Sequence, residues 1–242
     1  MNTHLIEGEA GCHFAVEHDA VVILVDALRA SATAAMLLDA GAREILVTRE
    51  VEEALAAKRE QPDALLFGER QGLPPVGFDF GNSPQTVSAA KNRRVIFTTT
   101  TGAGRLVSAW GAHAIYMGTT VNASAVAEAA ASHGRDIVLI PAGLAGDPQF
   151  DAQEDWAAAT VIALRLGLVV DQGRAAFTRW SARIAAEGVA SLFASAPHAA
   201  KLRAIGLETD IDFCAQEDIT GVVARVAERN AWGIVVRSFA SP

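Results

Sequence analysis

Six apolar runs of four or five residues recur up to residue 140, separated by helical or loop-like stretches, and no other feature of the chain constrains its fold as tightly. They read VVILV at 21–25, ILVT at 45–48, ALLF at 64–67, VIFT at 95–98, AIYM at 114–117 and IVLI at 137–140. Short runs without a polar face fit strands covered above and below. Between them, LRASATAAMLLDAG closes at Gly41 as a helix does at its C-cap, and VEEALAAKRE at 51–60 has strong helix formers throughout. Further helices are expected near 84–90, up to Trp110 and over 124–131. Repeated strand–helix–strand units predict an α/β fold, a mainly parallel sheet flanked by helices.

The second half has a different texture. PAGLAGDPQF at 141–150 is a Gly/Pro loop, and QEDWAAATVIALRLG then reads as a long helix with Glu154 and Asp155 at its positive N-terminal end. Residues 172–206 form alanine-rich helical runs broken at Gly188 and Pro197; a helix over 216–230 and a last strand at 233–237 are expected to follow. The second half is thus expected to be largely helical. At 242 residues the chain is long enough for a single compact domain over 1–242, or for two tightly packed lobes divided near 141–152.

Charge and hydropathy narrow the function. A net charge of −8 argues against a nonspecific nucleic-acid or anionic-membrane surface, while a local arginine cluster or bound divalent ion still permits a small anionic ligand. No apolar run reaches about 18 residues and no signal-like segment precedes the first strand, so a cytoplasmic protein without membrane spans is expected. Cys12 and Cys214 have no metal-binding spacing and read as structural thiols. Apolar helices in the second half suit either a homodimer or internal packing.

Residues just past strand ends carry the chemistry in a parallel sheet. DALRAS at 26–31 puts Asp26 directly after the first run, as a hard oxygen ligand or a helix cap, with Arg29 one turn on as an anion clamp. GERQGLPPVGFDFGNSP at 68–84 collects Glu69, Arg70, Asp79, Asn82 and Ser83 in a segment that reads as neither helix nor strand, either a binding loop or an ordinary surface loop. TTTTGAGR at 98–105 offers Thr99, Thr100, the amide of Gly102 and the charge of Arg105, as an anion cradle or a Thr-rich turn. Asn122 in GTTVNAS either orients a substrate oxygen or caps the next helix. Glu154 and Asp155 read as a solvated first turn, with completion of a metal shell as the other reading. All six histidines, His198 among them, read as surface or capping residues.

Taken in order, DALRAS, GERQG…GFDFGNSP, TTTTGAGR, GTTVNAS and the QEDW region at 153–156 resemble the 2-phosphosulfolactate phosphatase family, with a weaker echo in LETDIDFCAQED at 207–218. The resemblance implies a Mg²⁺-dependent α/β phosphohydrolase of coenzyme M biosynthesis that converts 2-phosphosulfolactate to 3-sulfolactate and phosphate. It implies catalytic roles for Asp26, Arg29, Glu69 and Asp79, and substrate contacts from Arg70, Asn82, Ser83, Thr99, Thr100, Gly102, Arg105 and Asn122. Mg²⁺ would be held by members of the set Asp26, Glu69, Asp79 and Asp155. The chain departs from the expected T-T-N-G-T motif at Thr101 and Ala103, and from R-A-T-T at Ser31 and Ala32. Those departures leave room for another small anionic phosphate ester as substrate, or for a noncatalytic anion-binding protein.

Overall fold

Strand β2 (Val21–Val25) shows how the apolar runs are used: every residue is buried, with Val21, Ile23 and Val25 in one core and Val22 and Leu24 in the other. The computed structural model describes residues 1–147 and 149–239; Pro148, inside the expected 141–150 loop, and residues 240–242 lie outside the described residues. Nine strands form one sheet in the order β1 (Thr3–Leu5), β7 (Ile137–Pro141), β2, β6 (Ala114–Met117), β8 (Val223–Arg229), β9 (Ile234–Phe239), β3 (Glu44–Thr48), β5 (Arg94–Thr98) and β4 (Leu65–Gly68). The sheet is mixed and mainly parallel: β1/β7, β7/β2, β2/β6, β3/β5 and β5/β4 pair in parallel, whereas β6/β8, β8/β9 and β9/β3 are antiparallel.

Helices α5 (Ala123–Ala131), α6 (Gln153–Leu166) and α8 (Val189–Ser195) cover one side; α1 (Gly8–Glu17) and α4 (Gly102–Ser108) pack into the other core. Helix α2 (Ala30–Asp39) feeds both cores, which its small residues Ala30, Ala32, Ala34 and Ala35 allow. Helix α3 (Val51–Glu60) covers the far end of the sheet with Ala54 and Ala57 against Leu46, Leu66 and Ile96. Helices α7 (Arg174–Glu187), α8 and α9 (Pro197–Ala204) break at Gly188 and Pro197, as their sequence requires, and α10 (Glu208–Cys214) follows.

All six expected strands are present to within a residue or two at their ends, and the last strand, expected at 233–237, is β9. The helix expected over 216–230 is absent: Val223–Arg229 is β8. Its alanine and charged residues suit a helix, but the hydrogen bonds it exchanges with β6 and β9 are what decide its state. The helix expected near 84–90 is reduced to a 3-10 turn at Ser88–Ala90. Strand β1, helix α1 and helix α10 lie outside the expected elements.

The β8–β9 hairpin joins two parallel blocks, β1–β7–β2–β6 and β3–β5–β4. Three antiparallel pairings in succession reverse the sense of one block relative to the other along the sheet. Their carboxyl ends nevertheless meet, because both blocks wrap one shared core in which Leu24 and Met117 of the first pack with Val47 and Phe97 of the second. Among the described residues no helix is long and apolar enough to cross a membrane.

Candidate active site

A cavity of about 760 Å³ opens where the strand ends converge, lined by Asp26 after β2, Glu69 after β4, Thr99 after β5 and Gly143 after β7. Helix α6 contributes Glu154 and Asp155 from its first turn, and α9 contributes His198 and Lys201, three residues apart on one face. The solvated reading of Glu154 and Asp155 is overturned, since they are 2% and 4% exposed. The helix start that carries them is pressed against the strand ends rather than against water. His198, read as a surface or capping residue, lines the cavity.

The acids crowd one another. Asp26 precedes α2, and its Oδ1 accepts from the first helical amide, Ala30 N, at 3.3 Å while the residue lines the cavity. Burial pushes its carboxyl up to about 6; Glu69 and Glu154 push the same way, while His198 and the Ala30 amide oppose. Asp155 is also raised well above the ordinary carboxylate range, by burial first and then by Glu154 and Asp26. Its oxygens accept from Ala27 N at 2.8 Å and Gly143 N at 3.1 Å, stitching the loop after β2 to the loop after β7. Glu154 Oε1 lies 3.2 Å from His198 Nδ1, and its Oε2 is buried with no hydrogen-bond partner among the described residues.

Opposite these acids, Glu69 fastens two loops. Its Oε1 accepts from the amide and hydroxyl of Thr100 at 2.8 and 2.9 Å, and its Oε2 accepts from Gly72 N at 2.9 Å. Thr99 Oγ1 accepts from Ala103 N, and Thr101 Oγ1 accepts from Ala145 N, so Thr101 binds its own loop to the one after β7. Gly102 starts α4 so close to the acids that a Cβ there would sit 2.8 Å from Asp26 Oδ2. Arg70 borders the cavity while donating to the carbonyls of Glu69 and Arg49 and to Thr98 Oγ1.

Arg29 is 3% exposed, lines the cavity and donates Nη1–H to Asp210 Oδ2 at 2.5 Å and Nη2–H to Gly72 O at 2.9 Å. Asn82 also borders the cavity, and its Oδ1 is buried without a partner among the described residues. Ser83 lies just behind, donating to Asp210 Oδ1 at 2.7 Å.

Three expected site residues stand elsewhere. Asp79 is not among the cavity residues; its Oδ2 accepts from Leu66 N at 2.8 Å and lies 3.9 Å from Lys58 Nζ. Arg105 borders a neighbouring cavity of about 600 Å³, donating to Ala142 O with Glu9 nearby. Asn122 is fully buried, accepting from Thr119 N and donating to Val222 O, which holds the chain before α5 against the approach to β8. Sequence reasoning gave no role to His198, Lys201 or Asp210; the echo at 207–218 was the one local signal that touched any of them.

Among the described residues no three His, Cys, Asp or Glu side chains form a ready-made metal cage. Mg²⁺ does not need one: it commonly takes one or two carboxylates and fills its shell with water and substrate oxygens. Asp26 and Glu154 fit that requirement, as hard donors on one cavity with Glu154 Oε2 unpartnered.

The family model of 2-phosphosulpholactate phosphatase matches residues 10–229. A probable 2-phosphosulfolactate phosphatase of Deinococcus radiodurans is 42% identical over 205 residues, covering 81% of this chain and 83% of the relative. Proteins of the same description from Carboxydothermus hydrogenoformans and Pseudothermotoga lettingae are each 32% identical, over 85% and 86% of this chain and 85% and 90% of theirs. With a family match over residues 10–229 and a relative 42% identical across 81% of its sequence, the chain belongs to the 2-phosphosulfolactate phosphatase family.

Proposed function

We propose that this protein hydrolyses 2-phosphosulfolactate to 3-sulfolactate and phosphate in the cavity bounded by Asp26, Arg29, Asn82 and Glu154. The observation that carries the site is the convergence of Asp26, Arg29, Glu154 and His198, from elements distant in sequence, on one cavity. A cavity lined by carboxylates, guanidinium groups and an imidazole suits a small, charged ligand. Family membership supplies the identity of that ligand.

The substrate carries phosphate, carboxylate and sulfonate, and the cavity already holds Asp26, Glu69, Glu154 and Asp155. Arg29, Arg70 and Lys201 offset part of that charge. Asp26 and Glu154 would hold Mg²⁺, which when bound neutralises phosphate charge and polarises the phosphorus centre toward attack. Arg29 supplies a planar fork for the phosphate oxygens. Hydrolysis breaks the bond from phosphorus to the C2 oxygen and forms one to a water oxygen; that water gives up one proton as it attacks, and the departing alkoxide must gain one. His198, with Nδ1 held by Glu154, is the group placed to give it. Glu69 and Thr99 keep the loops after β4 and β5 in register around the phosphate. A cytoplasmic location and a place in coenzyme M biosynthesis belong to the same reading.

Phosphate release from 2-phosphosulfolactate, phospholactate and phosphoglycolate, with Mg²⁺ and with chelator, tests it. The expected result is Mg²⁺-dependent release with the highest kcat/KM on the sulfonated ester. Release from none of the three by protein of intact fold would overturn it, and a preference for an unsulfonated ester would move the substrate class.

A further inference from the structure

Asp210 lies outside the cavity lining, yet two loops that build the cavity, the one after β2 and the one after β4, converge on its carboxylate. It is 1% exposed, on α10 in the helical second half. Oδ2 accepts from Arg29 Nη1 at 2.5 Å, and Oδ1 accepts from Ser83 Oγ at 2.7 Å and Gln85 Nε2 at 2.9 Å. Through Arg29, whose Nη2 reaches Gly72 O, the same contact also holds the beginning of the loop after β4.

An arginine offers five N–H donors. Two on Arg29 are spent on Asp210 and Gly72, which leaves three for a ligand and fixes the plane in which they lie. An anion clamp gains most when its geometry is set before the ligand arrives, because ordering the side chain then costs nothing at the moment of binding. The segment fastened by Ser83 and Gln85 carries Asn82, whose buried Oδ1 awaits a partner. One carboxylate thus holds the guanidinium of Arg29 directly and the segment that carries Asn82 through Ser83 and Gln85.

We propose that Asp210 is a positioning residue for phosphoryl transfer: it aims Arg29 and Asn82 at the phosphate without touching it. This rests on the hydrolytic reading of the cavity. Its first test is steady-state turnover of 2-phosphosulfolactate by wild type, Asp210→Asn, Arg29→Met and the double variant, with thermal melts on the same preparations. Asp210→Asn keeps the shape and removes the charge, and should lower kcat/KM at least tenfold. In the Arg29→Met background the same change should cost several-fold less in kcat/KM than it does in wild type, because the guanidinium it aims is gone and only its hold on the Asn82 segment remains.

Removing one partner of a buried ion pair leaves the other uncompensated, so Asp210→Asn can fold poorly. Asp210→Glu keeps the charge while displacing the carboxylate by one methylene, and it too should lose at least tenfold in kcat/KM. A folded Asp210→Asn or Asp210→Glu protein within threefold of wild type overturns the proposal, as does a full additional loss in the Arg29→Met background. Wild-type protein that releases no phosphate would instead overturn the hydrolytic reading itself. Calorimetric binding of inorganic phosphate, expected at least tenfold weaker in Asp210→Asn, gives a readout independent of turnover; unchanged affinity there also counts against Asp210.

Discussion

Replacing Asp26 with Asn should make the protein more stable and less active, because the carboxylate is held in its ionised form against its surroundings. Burial is the largest influence that carries it from 3.8 to about 6, with Glu69 and Glu154 adding to the effect. Folded protein therefore binds this proton more tightly than the unfolded chain does. Below pH 3.8 both states are protonated and the group costs nothing; as pH rises toward about 6 the unfolded chain releases its proton first and stability is lost. Above that interval the loss is complete, and at about 1.4 kcal/mol for each pH unit of displacement it comes to about 3 kcal/mol. Asn has nearly the same shape, retains an oxygen that can accept from Ala30 N, and does not titrate. In chelator the variant should match wild type near pH 4 and exceed it at pH 7.5, by a Tm rise of roughly 6–10 °C if the full amount is realised. Mg²⁺-dependent phosphate release should fall at least about tenfold, since a hard ligand is lost. Calorimetric melts from pH 4 to 8, read beside the phosphate assay, decide it. A variant no more stable than wild type at pH 7.5, or a gain that does not change with pH, would refute the reasoning.

Gly102→Ala would set a methyl 2.8 Å from Asp26 Oδ2 and 3.3 Å from Thr99 Oγ1, so kcat should drop about tenfold through displacement of Asp26, and near-wild-type kcat would show that this approach is unimportant. Asp79→Asn should leave kcat/KM within about twofold, because Asp79 faces Leu66 N and Lys58 rather than the cavity; a loss of about tenfold or more would return Asp79 to the catalytic set. Burial pushes the Cys12 thiol up to about 11 and raises Cys214 as well, so native protein should resist iodoacetamide at pH 8 and react at both thiols once unfolded, with mass spectrometry as the check.

The legible part of the site is the part whose residues follow a strand directly. Asp26, Glu69 and Thr99 all lie one residue past β2, β4 and β5, where local sequence marks both the strand end and the polar group. Asp79 shows the limit of this reasoning. It sits in the same loop as Glu69, but a loop of this length turns its side chains in several directions, and Asp79 turns back onto the Leu66 amide. Glu154 and Asp155 were visible as a charged first turn, while their burial depended on where α6 docks. Asp210 and His198 had the least local signal, since each acquires its partner from far away in sequence, Arg29 for one and Glu154 for the other.

The sequence by itself determined strands β2 to β7, helices α2 to α5, the breaks at Gly188 and Pro197, and the polar blocks that mark the site. All of these rest on local physics: apolar runs that must be covered, φ values that Gly and Pro allow or forbid, and dipoles at helix starts. Only the tertiary structure decided that Val223–Arg229 is a strand, because its state depends on the hydrogen bonds of β6 and β9 and not on its own composition. The same hairpin reverses one parallel block against the other, yet residues that follow strands of both blocks line one cavity. A cavity made from four strand ends and two helices distant in sequence exists only in the folded chain, since no local interaction brings Asp26, Glu69, Glu154 and His198 together.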